Sequence, residues 1–351
     1  MDKRIDFIKN KTYLLAEIIV SNLLNFFTNL KSNNNNYDYL IIYAPYNGNP
    51  WILNKIIEDL KNNSHRKEKY KIFKSLFNLS LFRFKYGGQI FTNHQSNIRK
   101  LNWGGIPLNC ISIYYTHSRI NQKGIRNIRK IKKIFCQNNY ELQLLKSSGI
   151  EENKLIDFPV GLHSNFINNN KNFFKHSEKE IDVLFCLRNY KANYHYSIRK
   201  RYDFIINLSN LLSESNLKVC ILGKGWENEK AKLNKSVIIA DEKYSEYSKF
   251  YKKSKIYCNP SLSEGGPISL LEAFSSGCII FTTPVGLSFN YCLDDDLSFM
   301  IPFSADEKFW QYNIIKIINK DYDKFYLEKI FNSRKINLEK SSFKYLSNIL
   351  E

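Results

Sequence analysis

Between Cys258 and Gly286 the chain reads CNPSLSEGGPISLLEAFSSGCIIFTTPVG, a run that few folds accommodate. An apolar strand end meets a turn holding Gly265 and Gly266, a helix opens on Pro267, and a second apolar strand follows. Glycine lets the backbone approach a ligand closely and adopt positive φ. Proline suits the first helical turn, where its missing N–H removes no bond. The N–H groups of Ile268 and Ser269 then open a helix whose dipole attracts an anion. Glu264 stays in the loop, and Glu272 lies about one and a half turns into the helix. A carboxylate accepts hydrogen bonds from both hydroxyls of a vicinal diol. The segment therefore suits a diphosphate with a polyol on either side. The plain alternative is a strand–turn–helix that only packs, with two solvated glutamates.

Strand-like runs alternate with helical patterns along most of the chain. In the first half they fall at 37–45, 89–94, 110–117, 133–137 and 154–160, and in the second at 181–187, 218–223, 237–240, 256–260, 278–283 and 298–303. Apolar strands separated by helices predict an α/β fold with parallel sheets covered on both faces. Two such domains are expected, 37–165 and 181–340, joined by a polar linker at 166–180. Helices are predicted at 200–212, 245–254, 306–319 and 322–350. Ligands of such sheets bind at the carboxyl ends of strands, where every candidate motif falls.

Ahead of the first domain, 1–36 holds an apolar helix pattern and an Asn-rich linker. In TYLLAEIIVSNLLNFFTNL (12–30), Glu17, Ser21, Asn25 and Asn29 recur every four residues and form a polar stripe. That stripe makes spanning a membrane costly. An amphipathic helix remains, able either to lie in a membrane interface beside Lys3, Arg4, Lys9 and Lys11 or to pack on the first domain.

The 351 residues suffice for two ordinary domains, and 43% apolar and 15% aromatic content argues against wholesale disorder. The net charge of +19 is uneven: residues 61–133 hold 17 Lys or Arg against one acid, Glu68. Six of these are arginines, so lysine-rich codon bias alone does not explain the cluster. A basic face on the first domain is expected, suited to anionic lipid headgroups or a phosphorylated acceptor. No nucleic-acid recognition motif accompanies the charge. None of the seven cysteines forms a CxxC or a Cys/His cluster, and Cys136, Cys186, Cys220, Cys258 and Cys278, in or beside apolar runs, read as buried small hydrophobes in a reducing, cytoplasmic compartment.

The segment from Pro260 to Ile280 resembles the E-x7-E signature, P-S-x-x-E-G-x-P-x-x-x-x-E-A-x-x-x-G, of retaining GT-B-fold glycosyltransferases. Pro260-Ser261, Glu264-Gly265, Pro267, Glu272-Ala273 and Gly277 stand in register with it. The resemblance implies two Rossmann-like doubly wound domains facing a central cleft, with the last helix, 341–351, crossing back to the first domain. It implies a nucleotide-diphosphate sugar as donor and a glycan or lipid-linked acceptor, as in surface polysaccharide synthesis. Glu264 would hold donor-sugar hydroxyls and Glu272 the ribose diol. No metal or other cofactor is expected.

The family's diphosphate-gripping R-x-x-x-x-K-G-x-D implies that role for Arg188, after strand 181–187, and for Lys200, at the start of the next helix. Lys191 is a rival for the second cation. Gly223 and Gly225 resemble the family's G-x-G beside the nucleotide, and the loop from Asp241 would lie near the base. His117, in the T-x-H position, would orient the donor sugar. Asn47, Gly48 and His94 are weaker matches on the acceptor side, and Val160-Gly161 stands where the family has Asn-Gly. Asp294 and Asp296 spell DxD but read as a turn. Two other readings stay open. One is a nucleotide-sugar epimerase or phosphorylase on the same fold; the other is a non-enzymatic polyanion binder using 61–133.

Overall fold

The eleven strands predicted from sequence and one more assemble into two six-stranded sheets, every ladder parallel. The computed structural model describes residues 17–26, 40–43, 60–86, 89–92, 95–115, 128–159, 161–162, 166, 179–189, 194–320 and 322–339. The chain divides into two compact units, with the main change between Phe158 and Pro159 and with Asn138–Tyr140 grouped with the second unit.

The first unit's sheet consists of β1 (Leu40–Tyr43), β2 (Tyr70–Phe73), β3 (Gln89–Thr92), β4 (Ile111–Tyr115), β5 (Lys133–Cys136) and β6 (Leu155–Asp157), in the order β2-β1-β3-β4-β5-β6. Sequence reading missed β2. It is an edge strand whose KYKIFK run alternates lysine with apolar residues, and edges tolerate lysine because one side of the ladder faces solvent. Ile41, Ile90 and Ile111 are buried with Leu76 and Leu79 of the helix Leu76–Tyr86 and Leu101 of the helix Gln95–Trp103.

Residues 17–26 are helical and pack on this unit, but not by their apolar face. The polar stripe points inward. Asn25 is fully buried, donating through Nδ2 to Ser80 Oγ and the Gly104 carbonyl, each at 2.9 Å, and accepting from Arg83 Nη1 at 2.9 Å. Glu17 Oε1 accepts from Ser75 Oγ at 2.8 Å and from the Phe77 N–H at 3.0 Å. It thereby caps the helix Leu76–Tyr86, where a carboxylate complements the dipole. The remainder of 12–30 lies outside the described residues, as do 1–11 and 340–351. Among the described residues, no helix is long and apolar enough to cross a membrane.

The second unit contains β7 (Ile181–Cys186), β8 (Val219–Leu222), β9 (Ile238–Ala240), β10 (Ser254–Asn259), β11 (Ile279–Thr282) and β12 (Ser298–Met300), ordered β12-β11-β10-β7-β8-β9. Register stacks the core in rows. Ile279, Ile256, Val183 and Val219 form one, and Phe281, Cys258, Phe185 and Ile221 the next. Helices Tyr202–Glu214 and Glu307–Ile318 cover these rows with Phe204, Ile205, Leu208, Trp310 and Ile314. The alternate residues Leu184, Cys220, Tyr257 and Ile280 are buried on the opposite face. Each such side chain contributes roughly 1.5–3 kcal/mol on burial, so this sheet is a firm base for the loops above it.

All seven cysteines are free. Asp294 and Asp296 lie in a turn, and the carboxylate of Asp295 between them is gripped by Arg334, at 2.9 Å from Nε and 2.7 Å from Nη2.

Candidate functional site

In the second sheet the chain runs β7, β8, β9 toward one edge, then returns to place β10 beside β7 and continues toward the other. Loops leaving β7 and β10 therefore diverge, and open α/β sheets bind ligands at this point. The loop after β7 carries Arg188 and leads to the helix Tyr194–Lys200; the loop after β10 carries Pro260–Pro267.

Structure brings three of the charged groups together here. Glu264 is buried, with Arg199 Nη1 at 3.0 Å from Oε2 and Lys200 Nζ paired with Oε1. Arg199 also donates to the Ser263 carbonyl at 2.9 Å, while the Leu262 N–H donates to the Arg199 carbonyl at 2.7 Å. Burial opposes the charge on Glu264, but Lys200 and Arg199 outweigh it and hold the carboxyl below its ordinary value. Glu264 is thus a carboxylate acceptor fixed by two cations. Sequence reading missed Arg199, although it adjoins Lys200 in the run Arg199-Lys200-Arg201.

Glu272 sits at the fifth position of the helix Ile268–Ser275 and is buried. Burial pushes its carboxyl up to about 7, against the hydrogen bonds of Tyr244 and Tyr251. Tyr244 Oη donates to Oε1; it belongs to the turn Tyr244–Glu246 beyond β9. Only the loop's position after 237–240 pointed to it in the sequence. Ser269, in the first turn of the helix, bonds Tyr257 Oη at 2.7 Å.

Three expectations are corrected. Lys200 ends the helix Tyr194–Lys200 instead of opening the next one. Arg201 follows in the left-handed region, φ 55° and ψ 55°, before Tyr202–Glu214 begins. That backbone breaks the helix where the resembled pattern carries glycine. Pro267 is the N-cap, φ −68° and ψ 95°, and Ile268 is the first helical residue. Proline's fixed φ suits this extended entry equally well. Neither Gly265 nor Gly266 has positive φ. The constraint lies instead at Gly286, φ 50°, where a Cβ would stand 2.2 Å from the Gly265 carbonyl oxygen.

Gly223 and Gly225 are also demanded by intramolecular contact. Added Cβ atoms would stand 2.2 Å from the Leu187 carbonyl oxygen and 2.6 Å from that of Asn189. The Asn189 N–H donates to the Lys224 carbonyl at 2.9 Å, so this turn braces the loop carrying the exposed Arg188. Tyr202 Oη donates to the Arg188 carbonyl at 2.5 Å. Asn47, Gly48, His94, His117, Val160 and Lys191 lie outside the described residues. Among those described, no group of three or more His, Cys, Asp or Glu is placed to hold a metal.

The sequence model of the family described as "Glycosyl transferases group 1" matches residues 169–325. A comparison with curated proteins finds no match. Solved structures share the fold at low identity. HepE of Anabaena, solved with UDP-glucose, aligns over 89% of this chain and 98% of its own, with TM-score 0.64 and 10% identity. A glycosyltransferase of Rickettsia africae ESF-5 aligns over 90% and 97%, with TM-score 0.63 and 13% identity. A TarM mutant of S. aureus, solved with fondaparinux, alpha-GlcNAc-glycerol and UDP, covers 79% of this chain with TM-score 0.58 and 16% identity; this chain spans only 58% of it. Two all-parallel six-stranded sheets and these shared folds give the chain a GT-B fold, and most of its second unit matches the group 1 glycosyltransferase sequence model.

Proposed function

We propose that the protein transfers a sugar from a nucleotide-diphosphate donor to a glycan or lipid-linked acceptor, with retention of anomeric configuration and without a metal. Support for the donor site comes above all from one observation: a buried carboxylate, Glu264, held by Arg199 and Lys200 where the strand order reverses between β7 and β10. UDP is the favoured nucleotide, because the neighbours HepE and TarM were both solved with it.

Breaking the anomeric C–O bond leaves negative charge on the diphosphate, and fixed cations and helix N–H groups stabilise it as it develops. Arg188 and Lys200 fill the first role. The turn Gly265–Gly266–Pro267 and the N–H groups of Ile268 and Ser269 fill the second. Glu264 accepts from donor-sugar hydroxyls, and Glu272 from the ribose diol. Gly223 and Gly225 shape the nucleotide side. His117 orients the donor sugar, while Asn47, Gly48 and His94 serve the acceptor. The leaving diphosphate oxygen takes the acceptor's proton. The domain limits proposed are 37–165 and 181–340, and the setting is the cytoplasmic face of a membrane during surface-glycan synthesis.

Incubation with UDP-sugars, with and without a lipid-linked acceptor, tests the reaction. Transfer consumes donor only when acceptor is present and gives a product of unchanged anomeric configuration by NMR. Conversion of the donor alone would mean an epimerase, and loss of activity in chelator would contradict metal independence.

A further inference from the structure

The helix 17–26 is docked the wrong way round for a soluble protein. Its polar residues Glu17 and Asn25 are spent on the first unit, by the hydrogen bonds to Ser75, Ser80, Arg83 and Gly104 described above, and Ser21 between them is fully buried. Its apolar residues Ile19, Val20, Leu23 and Phe26 are therefore turned to solvent, Ile19 at 54% and Leu23 at 58% exposure. Ile19, Leu23 and Phe26 recur at i, i+4 and i+7 on one side, with Val20 next to Ile19, so the exposure follows from the docking and not from a frayed end. Burying them instead would pull Asn25 off its partners and leave Arg83, itself only 1% exposed, without Asn25.

A neighbouring element extends the apolar surface. Phe77 and Leu81, one turn apart on the helix Leu76–Tyr86, are exposed at 39% and 47%. That helix is tied to 17–26 at both ends of the contact, by Glu17 to the Phe77 N–H and by Asn25 to Ser80. Trp103, 52% exposed, ends the helix Gln95–Trp103, and Asn22 donates to its carbonyl. Contiguous exposed apolar patches mark interaction sites.

Charge selects the occupant. Lys74 and Lys85 are exposed beside Phe77 and Leu81, and exposed Arg99 stands over the Trp103 ring at 5.9 Å. Lys3, Arg4, Lys9 and Lys11 precede the helix in the sequence, and Glu68 is the lone acid between 61 and 133. A protein partner presenting apolar surface does not require a one-signed rim, whereas an anionic bilayer does. We propose that the helix 17–26, with the exposed ridge of Leu76–Tyr86, lies on an anionic lipid bilayer: Ile19, Leu23, Phe77 and Leu81 enter the acyl boundary while the flanking lysines and Arg99 meet phosphate headgroups. Lysine and arginine stems suit this position, since they bury methylenes while the charge stays in water.

The test is co-sedimentation of the full chain with phosphatidylcholine vesicles and with vesicles containing phosphatidylglycerol. Wild type should pellet with the anionic vesicles and not with pure phosphatidylcholine. Ile19→Gln with Leu23→Gln keeps the charge and should lower the partition coefficient at least about tenfold. Lys74→Ala with Lys85→Ala should weaken binding and flatten its salt dependence. Melting temperature and light scattering accompany each variant. If a misfolded glutamine pair clouds the result, Phe77→Gln with Leu81→Gln repeats the test on the second helix. Equal pelleting of wild type and both glutamine pairs would overturn the proposal, because charge alone would then hold the protein. So would a wild-type dimer that Ile19→Gln with Leu23→Gln converts to monomer, since the occupant would be a second copy.

Discussion

Arg199 Nη1 lies 3.0 Å from Glu264 Oε2 and 2.9 Å from the Ser263 carbonyl oxygen, so one guanidinium from the β7 side pins the loop that follows β10. Replacing Arg199 by Met keeps the stem but leaves Glu264 with Lys200 alone. Removing one partner of a buried charge costs more than the pair contributes, and with one cation remaining a loss of about 1–3 kcal/mol is expected from the urea midpoint. The folded carboxyl is held below its ordinary 4.5. Its stabilisation is therefore present above that value and lost as pH falls through the folded one, so the wild-type advantage should shrink in acid. A variant equal to wild type at neutral pH would show the pair to be energetically idle.

Glu272 has the opposite sign. Its carboxyl is raised from 4.5 to about 7, so between those values the folded chain binds more protons than the unfolded one. Stability then falls as pH rises through that window, by roughly 3 kcal/mol in total. Glu272→Gln should flatten the nucleotide-free stability curve between pH 5 and about 7 and melt higher than wild type at pH 8. The same variant should bind donor at least about tenfold more weakly if the ribose diol needs a charged acceptor. Unchanged donor affinity would remove the role proposed for Glu272.

Gly286→Ala is predicted to act through the signature turn. At φ 50° the new Cβ would stand 2.2 Å from the Gly265 carbonyl oxygen. The clash is with backbone, so the turn itself must move. We expect a loss of about 2–4 kcal/mol in unfolding free energy together with weaker nucleotide binding. An alanine variant that keeps both would mean that the turn has slack.

The DxD run should prove structural. Asp295 is the carboxylate partner of Arg334, whose Nη1 also donates to the Cys278 carbonyl at 2.7 Å. Asp295→Ala leaves that buried guanidinium without its counter-charge and should cost about 3 kcal/mol by denaturation. Chelation with EDTA should leave donor binding unchanged. Chelator-sensitive binding would return Asp294 and Asp296 to consideration as metal ligands.

What the sequence showed and what it hid divide along a physical line. The strands of the second sheet were legible because each is a short apolar run between turns. The turn at Glu264 and the helix reaching Glu272 were legible because their reasons are local: glycine, proline and helix geometry. Constraints set by distant backbone were not. Gly286 reads as an ordinary loop glycine until the Gly265 carbonyl is placed against it. Arg199 reads as surface charge until the helix Tyr194–Lys200 ends beside the loop that follows β10. The docking of 17–26 was hidden most deeply. Amphipathic periodicity gives the stripe but not its direction, and Ser80, Arg83 and Gly104, the partners that turn it inward, lie more than fifty residues away.

The donor site is tested most directly by thermal shift with a panel of nucleoside diphosphates and their sugars on wild type and Arg188→Ala. A ligand at about 100 times its Kd adds roughly 2.7 kcal/mol, enough to raise the melting temperature by a few degrees. The expected result is such a rise for one nucleotide family, UDP first, with most of it lost in Arg188→Ala. No shift with any nucleotide, or equal shifts in both proteins, would contradict a diphosphate seated between the strand ends of β7 and β10.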